Sequence, residues 1–127
     1  MALSSLVTGL AHIGIRVNDL ERARNFYTRL GFNHAWGPSG PEHVTGMTHG
    51  SGLEINLIVN AASADENILM DVAEKHSGFT HIALKVKDLA AVEKALTESG
   101  IEISGRRGKA AVFVRDPDRN VIELASD

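Results

Sequence analysis

The segment His12-Ile13-Gly14-Ile15-Arg16-Val17-Asn18-Asp19-Leu20 returns later in the chain as His81-Ile82-Ala83-Leu84-Lys85-Val86-Lys87-Asp88-Leu89. Five positions are identical, and Ile15/Leu84 and Arg16/Lys85 keep their residue class. The same offset of 69 residues carries Gly31 onto Gly100, Phe32 onto Ile101 and Glu54 onto Glu123. One short match is easy to find by accident in 127 residues. One offset held over a strand, a helix end and a distant glutamate is not, and an internal repeat changes the unit in which the fold is read. The chain therefore reads as a single domain, 1–127, made of two related modules at about 9–59 and about 78–125. Between them Ser63 and Glu66 have the spacing of a capping box, which predicts a linker helix over about 63–75.

Each module predicts the element order βαβββ. Ile13, Ile15 and Val17 alternate with His12, Gly14 and Arg16, the period of a half-buried strand. Asn18, with Glu21 three residues on, is the expected helix cap. Leu20, Ala23, Phe26, Tyr27 and Leu30 then recur at helical spacing until Gly31 stops the run. Strands are expected near 32–37, 42–48 and 52–59, separated by Gly/Pro/Ser-rich turns. The second module predicts a strand at 79–86, a helix at 88–99 and strands near 101–104, 110–115 and 120–125. The fold class is α+β, with two βαβββ modules.

Composition narrows the chemistry. The net charge of −3 lacks the basic excess of a nucleic-acid binder. No uncharged run approaches the roughly 18–20 apolar residues needed to cross a bilayer, and no targeting segment stands out, so a cytoplasmic protein without membrane partners is expected. With no Cys and six His, any metal must be held by nitrogen and oxygen.

Strand alternation places His12 and Arg16 opposite the apolar set of the first strand, and His81 and Lys85 opposite Ile82, Leu84 and Val86. Glu54 lies opposite Ile55, Leu57 and Val59, and Glu123 opposite Ile122 and Leu124. Each module thus offers one His from its first strand and one Glu from its last. If the sheets curl around a common hollow, His12, Glu54, His81 and Glu123 form a candidate metal set. Imidazole with carboxylate suits Zn, Ni, Co, Mn or Fe(II), while Ca and Mg favour oxygen cages. Four such ligands leave positions open for water or substrate. His34, His43, His49 and His76 lie in or near turns and read as surface residues.

These residues, together with Phe26-Tyr27, Leu30-Gly31-Phe32, Thr80-His81 and Asp116-Pro117-Asp118, resemble the vicinal oxygen chelate superfamily over nearly the whole chain. That group includes glyoxalase I, bleomycin- and fosfomycin-resistance proteins, extradiol dioxygenases and methylmalonyl-CoA epimerase. The resemblance implies paired βαβββ modules forming cupped mixed sheets around a metal cleft, one divalent metal in that cleft and, for short two-module members, a homodimer whose site is often completed across the interface. His12, Glu54, His81 and Glu123 look like the His-Glu-His-Glu set of glyoxalase I, which implies a lyase/isomerase with glutathione as cosubstrate. Arg16 matches the arginine that contacts glutathione there. Glyoxalase I usually carries an Asn four residues after the first Glu, where this chain has Ile58; Asn56 is the nearby candidate for substrate contact. Arg106, Arg107 and Lys109, in an expected loop, are candidate contacts for an anionic small-molecule substrate.

The reaction expected is metal-assisted proton abstraction next to a carbonyl, with Glu54 or Glu123 moving the proton. Two alternatives stay open at this level. One is an epimerase, dioxygenase or resistance protein acting on another substrate; the other is a binding module without turnover.

Overall fold

The computed structural model describes residues 2–126. A short helix α1 (Leu3–Leu6) precedes module one, which runs β1 (Ile13–Val17), α2 (Leu20–Arg29), β2 (Phe32–Ser39), β3 (Val44–His49) and β4 (Glu54–Val59). Module two runs β5 (His81–Val86), α3 (Leu89–Glu98), β6 (Ile103–Arg107), β7 (Ala111–Arg115) and β8 (Val121–Ser126). The two sheets have one topology, β1-β4-β3-β2 and β5-β8-β7-β6, and in both the first strand pairs parallel with the last. The repeat in the sequence is therefore a repeat of the fold, and the two mixed four-stranded sheets have the paired βαβββ order that the alternation predicts.

Helix ends follow from local chemistry. Asp19 and Asp88 are the N-caps, each side chain accepting the amide three residues on, from Arg22 and Ala91. The cap expected at Asn18 is thus one residue later. Asn18 instead spends its own amide on Asp118 Oδ1 (2.7 Å) and its side chain on the Ala61 carbonyl (2.9 Å). Both helices stop at glycines with positive φ, Gly31 at +100° and Gly100 at +71°, where a side chain would be strained.

The core is built from the faces that alternation turns inward. Val17, Ile55, Leu57, Met47, Val112, Val114 and Ile122 are buried between sheet and helix, with Phe26, Tyr27 and Phe32 in edge-to-face contact. Each such fully buried side chain stabilises the fold by about 1.5–3 kcal/mol. The modules are tied by polar contacts as well. Tyr27 donates its hydroxyl proton to Asp116 Oδ2 (2.7 Å), and Asn120 donates to the Arg16 carbonyl (3.3 Å). Burial first, and the Asp116 charge second, push the Tyr27 hydroxyl well above its ordinary pKa.

The linker helix expected over 63–75 is not formed; the segment is a series of turns and bends. Ser63 Oγ accepts from Asp65 rather than closing a capping box with Glu66. Asn67 Oδ1 accepts from Leu69 and Met70, and Asp71 is drawn to the β7–β8 hairpin by Arg115 (3.0 Å) and Arg119 (2.6 Å). These side-chain bonds compete with the helical ladder. The Arg119 guanidinium, with help from the Asn67 amide and Arg115, holds the Asp71 carboxyl well below the usual carboxylate range. A carboxyl depressed on folding stabilises the native state above its unfolded pKa, near 4, and that contribution fades as pH falls. Asp71→Asn is therefore expected to be less stable than the parent at pH 7, with the gap narrowing toward pH 3. Urea unfolding at the two pH values checks this, and an equal gap at both would defeat it.

Candidate metal centre

The site residues lie on the sheet faces turned away from the helices, as the alternation of β1, β4, β5 and β8 requires. In module one, His12 precedes β1 and Glu54 opens β4, with the buried Asn56 between them. In the amide orientation that satisfies both neighbours, Asn56 Nδ2 donates to Glu54 Oε2 (2.9 Å) and Oδ1 accepts from His12 Nε2 (3.1 Å). Asn56 thus bridges the histidine and the glutamate. Its expected role in substrate contact is joined by one in holding this pair.

In module two, His81 Nε2 and Glu123 Oε1 are 3.0 Å apart. This is a hydrogen bond, and two ligands at right angles about 2.1 Å from one ion would stand at about the same separation, so the pair would need little movement to hold a metal. Thr80 Oγ lies 2.9 Å from His81 Nδ1, a hydrogen bond that would orient the imidazole if it held a metal. Glu123 is buried at 7% exposure, and its other oxygen, Oε2, accepts from Arg107 Nη2 (2.7 Å) and Nε (3.1 Å). The Arg107 guanidinium holds the Glu123 carboxyl below its ordinary pKa; burial opposes this and His81 adds to it. The donor set, two imidazoles and two carboxylates, fits a divalent transition metal.

One chain does not gather all four. Among the described residues no three His, Asp or Glu side chains lie together as a metal cluster. The candidates form two half-sites, His12/Asn56/Glu54 and His81/Glu123/Arg107. His12 and His81 do line one cleft of about 580 Å³, between the edges of β1 and β5 and bordered by Arg16, Asn67 and Phe79.

The three candidate cations are not grouped as an anion-binding loop. Gly105, Arg106 and Arg107 belong to β6, where alternation sends successive side chains to opposite faces. Arg106 meets Glu93 of α3 at 2.7 Å, on the helix side, while Arg107 meets Glu123 on the cleft side. Lys109 is exposed in the following turn. Arg16 lies on the cleft side and donates through Nε to Asn60 (2.8 Å). His34 and His49 stand in β2 and β3 rather than in turns, and His49 is half-buried against Phe32.

Two roles are invisible in the sequence. Arg107, expected to meet an anionic substrate, is the partner of Glu123. Trp36, the single tryptophan, lies over Gly46 on the same face as Asn56. A lone Trp facing Gly on a neighbouring strand is a legible signal only once the strand register is known.

Paired βαβββ modules with one sheet topology and a His and a Glu on the same face of each define the fold class, and comparison with known families agrees. Residues 9–124 match the model of the Glyoxalase/Bleomycin resistance protein/Dioxygenase superfamily, and the chain belongs to that superfamily. It is 30% identical to the glyoxalase domain-containing protein RDO1 of Mycosarcoma maydis, over 94% of this chain and 69% of that protein. It is 29% identical to the lactoylglutathione lyase of Escherichia coli O157:H7, over 93% of this chain and 92% of the enzyme. Solved structures share the fold. A glyoxalase family protein from Enterococcus faecalis superposes with a TM-score of 0.74 at 24% identity, over 94% of this chain and 98% of that one. A point mutant of the fosfomycin resistance protein FosX of Listeria monocytogenes, solved with Mn(II) and 1S,2S-dihydroxypropylphosphonic acid, superposes at 0.72 and 16% identity, over 94% and 92% of the two chains. No helix among the described residues is long and apolar enough to cross a membrane.

Proposed function

We propose that the protein is a divalent-metal-dependent lyase/isomerase of the glyoxalase I type, acting on a hemithioacetal of glutathione and a 2-oxoaldehyde. The observation that carries this reading is the recurrence of a His/Glu pair on the cleft face of both modules, His12 with Glu54 and His81 with Glu123. Two His and two Glu match the ligand set of that enzyme class, and the similarity to a lactoylglutathione lyase runs the length of the chain. A bound divalent ion would supply positive charge for the enediolate oxygens that develop during proton transfer.

The two glutamates are not equivalent, although the sequence repeat makes them look so. Both oxygens of Glu123 are engaged, one by His81 and one by Arg107, whereas the side-chain partner of Glu54 is the neutral amide of Asn56. Glu54 is the group free to take the proton from the carbon beside the carbonyl and return it to the neighbouring carbon, an isomerisation with no net loss of atoms. Glu123, held by a cation, serves as a fixed ligand. Tyr27 is committed to Asp116 in the core, which disfavours the extradiol dioxygenase alternative, in which a free tyrosine acts at the site.

The reading also calls for two copies of the chain. β1 and β5 are edge strands with no further strand along their outer edges among the described residues, and Leu10 and Phe79 beside them are exposed, Phe79 fully. Such edges invite pairing with another chain. In a homodimer, β1 of one copy set beside β5 of the other would bring His12 and Glu54 to His81 and Glu123.

Metal analysis of the purified protein and assay with methylglyoxal plus glutathione test the proposal together. We expect about one Ni, Zn, Co, Mn or Fe per chain and formation of the thioester product. Activity is expected to vanish on chelation and to return with added metal. A protein that takes up no divalent metal after chelation and reconstitution would defeat the reading.

A further inference from the structure

Beside Glu54 the sheet of module one carries a strip with few side chains. Trp36, Gly46, Asn56 and Gly14 are successive cross-strand partners on β2, β3, β4 and β1. Partners in such a row point to one face, so the strip shares the cleft face with Glu54, two residues before Asn56. Two of the four positions are glycine. A Cβ on Gly46 would fall inside the indole of Trp36, which therefore lies flat against the β3 backbone. Even so, Trp36 keeps 39% of its surface exposed. One face of the ring is packed and the other is open.

Module two holds a related pair in reversed order. The residue 69 positions after Trp36 is Gly105, and its partner across the strands is Phe113. The Phe113 ring stands edge-on to His81, with centroids 5.9 Å apart. Module two thus sets an aromatic ring beside His81, and module one sets Trp36 on the same sheet face as Glu54, held up by a glycine where any side chain would displace it.

We propose that Trp36 is the specificity-determining platform of this site, on which an aryl substituent of the substrate stacks while the reacting carbon faces Glu54. This rests on the lyase reading and narrows it: the favoured substrates are adducts of aryl 2-oxoaldehydes, with methyl-substituted ones handled less well. Asn56 shares the cross-strand row with Trp36 and stands two residues after Glu54 on β4. Offset or edge stacking on an indole is worth up to about a factor of ten in binding.

Because Trp36 is the single tryptophan, its fluorescence reports on the platform directly. The metal-reconstituted protein is titrated with mandelate and with lactate, and kcat/KM is measured for the glutathione adducts of phenylglyoxal and methylglyoxal. We expect saturable quenching by mandelate at roughly tenfold lower concentration than by lactate, and a kcat/KM ratio favouring the phenyl adduct. Trp36→Ala should collapse that ratio by about tenfold, and Trp36→Phe should restore most of it. A ratio unchanged by Trp36→Ala, or equal quenching by the two acids, overturns the platform. Turnover of both adducts at equal efficiency without quenching likewise overturns it but leaves the lyase reading standing. Quenching by mandelate in a protein that turns over neither adduct supports the aryl subsite and rejects the lyase reading.

Discussion

Glu54→Gln is expected to lower kcat for the hemithioacetal by about two to four orders of magnitude, the usual contribution of a positioned general base. The variant keeps the shape of the side chain and an oxygen able to ligate, so the loss falls on proton transfer first and on metal content second. Glu123→Gln should behave differently. Its carboxylate is in contact with His81 and Arg107, so its replacement removes a ligand charge and leaves the Arg107 guanidinium without its partner. Metal affinity is then expected to fall by at least an order of magnitude. Metal stoichiometry by mass spectrometry, beside kcat at saturating metal, separates the two behaviours. If Glu123→Gln retained its metal and lost turnover while Glu54→Gln did the reverse, the assignment of base and ligand would be exchanged. The near-symmetry of the modules makes that a real alternative, and Arg107 is what breaks it: the position 69 residues earlier is Pro38, which has no charge to offer Glu54.

What is legible in the sequence, and what is not, divides along a physical line. Alternation with period two is a property of one strand, so the faces of Ile13–Val17, Glu54–Val59 and Val121–Ser126 are legible, and with them the shared face of each His and Glu. The offset of 69 supplies the topology, because both modules obey one connection rule. Failures come where side chains compete locally or where distance decides. The pattern at Ser63 and Glu66 is a fair helix start, but Asn67 and the Arg115/Arg119 hold on Asp71 bend that segment into turns. Arg106, Arg107 and Lys109 read as one charged loop because two glycines flank the arginines. As part of β6 they alternate, and the two arginines meet acids on opposite faces. The relation between the two sheets is written in no periodicity. Alternation therefore assigns each ligand to a face without fixing the distance between faces, and a single chain holds the four as two pairs.

Those two pairs lead to the other large effect. His12→Ala and His81→Ala are each expected to abolish turnover when pure, because each removes a proposed ligand from every site. Mixed in equal amounts and allowed to exchange subunits, they should regain activity if the site forms between copies. In a mixed dimer, one site takes His12 from the first variant and His81 from the second, and both are alanine. The other site takes the intact His12 of the His81→Ala chain and the intact His81 of the His12→Ala chain. Half of the dimers in a random mixture are mixed and half of their sites are whole, so about a quarter of the parental activity should return. If all four ligands of a site came from one chain, every site would keep one alanine and nothing would return. The exposed outer edges of β1 and β5, and the fully exposed Phe79 beside them, favour the first outcome. Subunit exchange can be followed independently by mass spectrometry on differently tagged chains. A mixture that forms mixed dimers yet stays inactive would place the complete site within one chain and require β1 and β5 of that chain to close on each other.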